Sequence, residues 1–231
     1  MKIIENTKLI NRNKKLAKYT SYATFGFIAI SFYFNTKKDT TSMIFMLVAL
    51  LLCMITWQIS MYFTARWGAK VNPYEMVTSA LKGLDDKYTL YHFSTPVSHL
   101  LASPNGLWII LPELAGGKIT YSNGKWKQKG ANAFLKIFGQ DSIGRPDAES
   151  QLEINDLNRA LDKNGIQIDP KLIKPLALFF NKKAELSVSD APVACIASDK
   201  AKEYLRKQPK SISLTADQLD SLKSILTFKT D

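Results

Sequence analysis

Cysteine and histidine are nearly absent: two of each in 231 residues. Cys53 lies inside an apolar run and Cys195 in a short strand-like stretch much later, so no disulfide framework can be built from them. That usage suits a reducing compartment. Neither cysteine has the spacing to His92 or His99 that a metal site needs, and two histidines near one strand read as structural. Glycine is sparse, and Gly116-Gly117 stands outside the strand–turn–helix setting of a phosphate-binding loop. No Ser-His-Asp arrangement is suggested, and there are no internal repeats or low-complexity tracts. These absences leave no catalytic, cofactor-binding or metal-ligating residue to assign, and no cofactor to expect.

Charge is missing in one further place. Residues 42–63 (SMIFMLVALLLCMITWQISMYF) carry no charged side chain. Roughly 20 apolar residues cross the hydrocarbon core of a bilayer, so this run reads as a transmembrane helix. Residues 16–34 read as a preceding transmembrane helix, uncharged after Lys18 but holding Thr20, Ser21, Thr24 and Ser31. A basic start and an apolar middle also suit a signal peptide, yet no small-residue cleavage site follows Phe34 and a second apolar run comes at once. Tyr19, Tyr22 and Tyr33, then Trp57, Tyr62 and Trp67, fall near the ends of the two runs, where aromatic rings favour the headgroup layer. Residues 1–15 read as a basic tail, 35–41 as a short loop and 64–71 as a linker.

The net charge of +11 is concentrated around these runs. Residues 1–66 hold nine Lys/Arg against two acids, whereas residues 67–231 hold 22 against 18. Lys2, Lys8, Arg12, Lys14, Lys15 and Lys18 precede the first run, and Arg66 and Lys70 follow the second. The loop has only Lys37 and Lys38, partly offset by Asp39. The positive-inside bias therefore predicts a multi-pass cell-membrane protein with both termini cytoplasmic and the lipid bilayer as its partner.

Residues 72–231 read as one soluble α/β domain with a mixed sheet flanked by helices. Asn72-Pro73 opens a helix with Val77, Leu81 and Leu84 at helical spacing, ending near Asp85-Asp86. Strands are predicted at 88–93, 99–102, 107–111, 118–121 and 125–127. The run at 107–111 is continuously apolar, as in a strand buried on both faces. Asn123-Gly124 marks a hairpin. A helix follows over 147–163 with Leu152, Leu157 and Leu161 as its stripe and Asn164-Gly165 as its stop. Strands at 173–180 and 191–197 and two helices, 199–207 and one after Thr215 bearing Leu219, Leu222 and Leu226, complete the chain. Lys125, Lys127 and Lys129 surround Trp126, a pattern that grips nucleic-acid backbones or that belongs to a solvated hairpin whose Trp packs on its sheet.

The ordered set of elements resembles the nuclease-related domain family (NERD), whose fold is restriction-endonuclease-like. The resemblance covers residues 72–226. It rests on Glu75 with Val77, Leu81 and Leu84, on SHLLASPNGLWIILPELAGGKITYSNGKW with Gly106, Gly117, Ile119 and Trp126, on Arg145-Pro146 before a helix, on IKPLALFFNKKAEL then APVACI, and on ISLTADQLDSLKSIL. It implies a site with an acid before the turn and an acid-x-Lys pair on the central strand, together holding a divalent metal. Ser98, Leu111 and Glu113 stand at those places here, with Pro112 between the last two, and Glu75 is the acid left from the wider set. Leu111 is no ligand, and Glu113 reverses the charge of the expected Lys. The resemblance thus implies a catalytically degenerate domain that binds nucleic acid or a protein partner at the cytoplasmic membrane face. Two alternatives stand beside it. One is a metal-dependent nuclease, using Mg²⁺, with relocated carboxylates drawn from Glu75, Glu113, Asp147 and Glu149. The other is a membrane assembly protein acting through its helical hairpin.

Overall fold

The computed structural model describes residues 1–37, 39–68, 72–131, 141–209, 214 and 222. The protein is α/β: long N-terminal helices precede mixed sheets with helices. It divides into two units, Thr7–Asn72 and a second made of Met1–Asn6 together with the chain from Pro73 onward.

In the Thr7–Asn72 unit, α1 (Thr7–Asn35) and α2 (Thr40–Phe63) run antiparallel. The Ser21 and Ser60 hydroxyls lie 2.7 Å apart, and Thr24 Oγ1 donates to Thr56 Oγ1 at 3.2 Å. Near the turn Phe34 stacks on Phe45. Asp39 caps α2 by accepting from the Ser42 backbone N–H and hydroxyl. Small and polar residues, among them Ala17, Thr24, Ser31, Ala49 and Ser60, are buried, while Phe25, Phe32, Leu47, Leu51 and Trp57 lie exposed. Among the described residues one helix, α2, is long and apolar enough to cross a membrane. The first helix differs from expectation: it starts at Thr7 rather than 16, so Lys8, Arg12, Lys14, Lys15 and Lys18 lie within it.

The remaining unit holds a six-stranded sheet in the order β1-β2-β3-β4-β7-β9. Its first strand, β1 (Lys2–Glu5), comes from the segment expected to be a basic tail. It pairs in parallel with β2 (Thr89–His92), Ile3 opposite Leu90 and Ile4 opposite Tyr91. β2 and β3 (His99–Ser103) are antiparallel, as are β3 and β4 (Gly106–Glu113). The turn between β3 and β4 needs Gly106: its φ is +128°, and an added Cβ would lie 2.5 Å from the Leu172 carbonyl oxygen.

Beyond β4 the chain enters a three-stranded sheet, β6-β5-β8. There β5 (Gly117–Ser122) and β6 (Lys125–Lys129) form the expected hairpin, with positive φ at both Asn123 and Gly124 as its turn demands. After α4 (Pro146–Lys163), β7 (Ile173–Phe179) returns to the large sheet in parallel with β4. Then β8 (Ala184–Ser187) pairs in parallel with β5, and β9 (Ala194–Ala197) in parallel with β7.

Burial follows from this order. The central strand β4 turns Leu107, Ile109 and Leu111 to one side of the sheet and Trp108 and Ile110 to the other. The first set packs with Leu157 and Leu161 of α4 and with Ile119 of the small sheet. The second packs with Val77 and Leu81 of α3 (Pro73–Leu81) and with Ala201 and Leu205 of α5 (Ala201–Arg206).

Several boundaries differ from the sequence reading. Leu152 is 66% exposed, and the buried stripe of α4 runs through Ser150, Leu157 and Leu161 with Ile154 packed beside it. Leu152 lies five residues before Leu157, about 140° around the helix from it. Strand β9 begins at Ala194 rather than 191, after Pro192, which has no N–H to give a ladder. Pro112 does not disturb β4, because pairing with β3 ends at Ile109 and leaves Pro112 a neighbour on one side alone. The expected last helix lies outside the described residues except for Leu222, which is buried in the core, as is Leu214 ahead of it.

Candidate functional site

Of the positions singled out by the family resemblance, Ser98 directly precedes β3, and Leu111 and Glu113 lie near the end of β4. The β3–β4 ladder ends at the pair Leu100 and Ile109, two residues short of Ser98 on one strand and of Leu111 on the other. Glu113 lies two residues further along β4. Leu111 is fully in the core, however, and gives this place no chemistry. The Ser98 backbone N–H donates to Glu153 Oε1 at 3.3 Å. Glu149, one turn earlier on α4, acts on Glu113 through its charge. Two carboxyls of α4 thus act on these positions, Glu149 on Glu113 and Glu153 on Ser98. Glu153 escaped the sequence reading; its four-residue spacing from Glu149 on a predicted helix was the signal available.

Glu113 is only 8% exposed. Burial, with a smaller contribution from Glu149, pushes its carboxyl up to about 8. It is therefore largely protonated at neutral pH, offering an O–H rather than a negative charge. The Cys195 thiol nearby is pushed up to about 12 by burial and then by Glu113, so it is not a thiolate nucleophile.

The other sequence candidates are engaged elsewhere. Tyr74 donates its hydroxyl to Glu75 Oε1 at 2.9 Å. Asp147 accepts from Trp126 Nε1 at 3.1 Å and from Arg145 at 3.4 Å. Among the described residues, no three His, Cys, Asp or Glu side chains converge as a metal site would require. Of the carboxylates named for a relocated nuclease centre, Glu149 acts on Glu113 through its charge, while Glu75 and Asp147 are engaged by Tyr74 and by Trp126 and Arg145.

A second polar cluster is buried where β2 ends and β3 begins. His92 Nδ1 and His99 Nδ1 lie 2.9 Å apart, and the Thr78 hydroxyl lies 2.8 Å from His92 Nε2. Desolvation holds His92 down at about 4, so the ring is neutral at physiological pH. The Tyr74 ring packs edge-on against His92, and the Asn6 backbone N–H donates to the His92 carbonyl at 3.0 Å. The two histidines are structural, and their surroundings mark where the chain leaves this unit and where it re-enters: Asn6 and Tyr74 both touch His92.

On the small sheet, Trp126 turns inward, its ring 4.9 Å from that of Tyr121, and packs against the core. The solvated-hairpin reading of Lys125, Lys127 and Lys129 is the one the geometry favours for Trp126 itself.

Comparison of the chain with family models, with curated proteins and with solved structures finds no match in any of the three.

Proposed function

We propose that this chain is a membrane-anchored α/β module, held at the cytoplasmic face by the α1–α2 hairpin and acting by binding a partner rather than by cleaving one. The observation that carries the reading is the place of β1. Residues before and after the two long helices belong to one sheet, so the helices are an insertion within a single folded unit. A folded sheet cannot straddle a bilayer. If α2 crosses the membrane back to the side of β2, the chain must already have crossed it once after β1, and α1 is the element available for that first crossing.

The surface of the helix pair supports the same reading. Its seam is small and polar and its outside is apolar, the reverse of a water-soluble pair and the arrangement of helices packed in lipid. The basic residues of α1 all lie in its first half, ahead of an uncharged stretch that ends at Phe34. They flank the hairpin on the domain side, which by the positive-inside bias is the cytoplasm. Nucleic acid and protein remain the partner classes. Support for binding without cleavage comes from the NERD-like order of elements with Ser98, Leu111 and a largely protonated Glu113 in place of a metal-binding set. Against the relocated-nuclease alternative, Glu75 is held by Tyr74 and Asp147 by Trp126 and Arg145.

The topology is tested with single-cysteine variants in which Cys53 and Cys195 are replaced by alanine. Thr36→Cys in the interhelical turn and Asp199→Cys in the domain are labelled with a membrane-impermeant maleimide in sealed, oriented vesicles. Labelling from opposite sides is expected, with Asp199→Cys on the cytoplasmic side. Labelling of both from one side would sink the crossing hairpin. Metal-dependent cleavage of DNA or RNA by the purified chain, abolished by Glu75→Ala or Glu113→Gln, would overturn the non-catalytic part.

A further inference from the structure

The small sheet presents a lysine-rich outer face. Alternation along β6 puts Lys125, Lys127 and Lys129 on its outer side, all exposed. Lys118 of β5 is also exposed and lies opposite Lys129 across the ladder. Lys182 and Lys183, exposed in the turn before β8, extend the patch; the Lys183 carbonyl accepts from the Gly117 N–H. Among the described residues of this sheet, the outer face offers one acid against six lysines, Glu185, opposite Lys118. Among the described residues none of the six forms an ion pair.

This is charge segregation, not average basicity. Residues 67–231 carry 22 Lys/Arg against 18 acids. Setting these six lysines aside leaves 16 against 18, so the rest of the domain is slightly acidic. A cluster of like charges repels itself and is relieved by a polyanion.

The composition of the face selects which polyanion. Its remaining outward positions are Thr120, Ser122, Glu185 and Ser187. No aromatic ring is among them, because Tyr121 and Trp126 point the other way. Binding of single-stranded nucleic acid draws much of its strength from base stacking on aromatic rings, and this face offers none. Lysines on one side of a strand stand about 6.7 Å apart, a two-dimensional array suited to a surface of separate phosphates. We propose that the outer face of the β6-β5-β8 sheet docks on anionic phospholipid headgroups. The inference rests on the membrane reading above, which puts such a surface within reach of a tethered domain.

The full chain is reconstituted into vesicles of phosphatidylcholine, with and without phosphatidylserine, and reacted with a water-soluble amine-acetylating reagent. Lys125, Lys127 and Lys129 should be acetylated at least about fivefold more slowly when phosphatidylserine is present, each lysine gaining that order of attraction at an anionic surface. The protection should vanish near 1 M NaCl, where the screening length is about 3 Å. Exposed Lys163 and Lys171 should react equally in both. Equal labelling of the β6 lysines in both vesicles, with the chain still floating with them, overturns the docking face and leaves the membrane reading intact. Failure to float even with phosphatidylcholine vesicles overturns both. Protection by an added oligonucleotide, with none from phosphatidylserine, reassigns the face to nucleic acid and also overturns the proposal.

Discussion

Glu113 and His92 are buried groups whose charged forms the fold disfavours, and they respond to pH with opposite sign. For His92 the folded value, about 4, lies below the ordinary 6.5. Between these values the unfolded chain binds the extra proton, so stability is complete above 6.5 and falls as pH drops to 4. For Glu113 the folded value, about 8, lies above the ordinary 4.5. Here the folded chain keeps the proton, so stability is complete below 4.5 and falls as pH rises to 8. The two windows overlap between 4.5 and 6.5 and offset each other there. The wild-type chain should therefore lose stability from pH 6.5 to 8, through Glu113. Glu113→Gln keeps the shape and removes the ionisation, so its Tm should exceed the wild type's at pH 8, by the equivalent of on the order of 2–4 kcal/mol. That advantage should be gone near pH 4.5, where the wild-type carboxyl is protonated in either state. A Glu113→Gln chain no more stable than wild type at pH 8 would show that Glu113 ionises freely. In His92→Asn the acid loss between 6.5 and 4 should flatten, whatever the variant's overall stability.

Elements were legible in the sequence where a pattern repeats within one segment, and hidden where it depends on a distant partner. The apolar run Leu107–Leu111 announced a central strand, Asn123-Gly124 a hairpin, and Gly165 the end of α4. Their causes are local: burial on both faces, positive φ, a helix stop. Strand β1 has no such signal. Ile3 and Ile4 sit between Lys2 and Glu5, and a basic helix follows directly, so four residues of strand look like the start of a charged tail. What makes them a strand is β2, more than 80 residues away. The candidate site shows the same division. Ser98, Leu111 and Glu113 were singled out by the family resemblance, whereas Glu153 belongs to the site through the fold that lays α4 against β4. The distant pairing of β1 can be tested directly. The ladder runs from Lys2 N–H on the Tyr88 carbonyl to Asn6 N–H on the His92 carbonyl. Ile4→Pro, between them, removes a donor and stiffens the strand, and should lower the stability of the domain by about 1–3 kcal/mol. Proline at Lys171, on the exposed surface before β7, is not an equivalent control because it precedes a core strand; Lys2→Ala, which leaves the ladder donors in place, is. Equal stability of Ile4→Pro and Lys2→Ala in denaturant melts would mean that β1 adds nothing to the sheet.

At the scale of the whole molecule, the order of the chain and the order of the fold disagree, and that disagreement dictates how the protein can be divided. A cut at residue 72, natural from the hydropathy profile, removes β1 and leaves β2 as a bare edge with Leu90 and Tyr91, both fully buried beside it, newly exposed on one flank. Unpaired edges of this kind recruit other strands and aggregate. Excision should behave differently. Asn6 and Tyr74 both contact His92, so the two ends left by removing residues 7–72 lie near one another and a short Gly/Ser linker of about six residues spans them easily. The excised chain keeps both core faces of the sheet and loses the apolar helix pair. It should therefore be monomeric and soluble without detergent, with a cooperative melt, and absent from floated vesicles of pure phosphatidylcholine. The chain that begins at residue 73 should melt at a lower temperature and associate, on the same column and at the same concentration. If the two behave alike, β1 is dispensable, and the hairpin need not return to the side it left. If the excised chain melts as expected yet still floats with phosphatidylcholine, the membrane anchor lies in the α/β unit and not in α1 and α2.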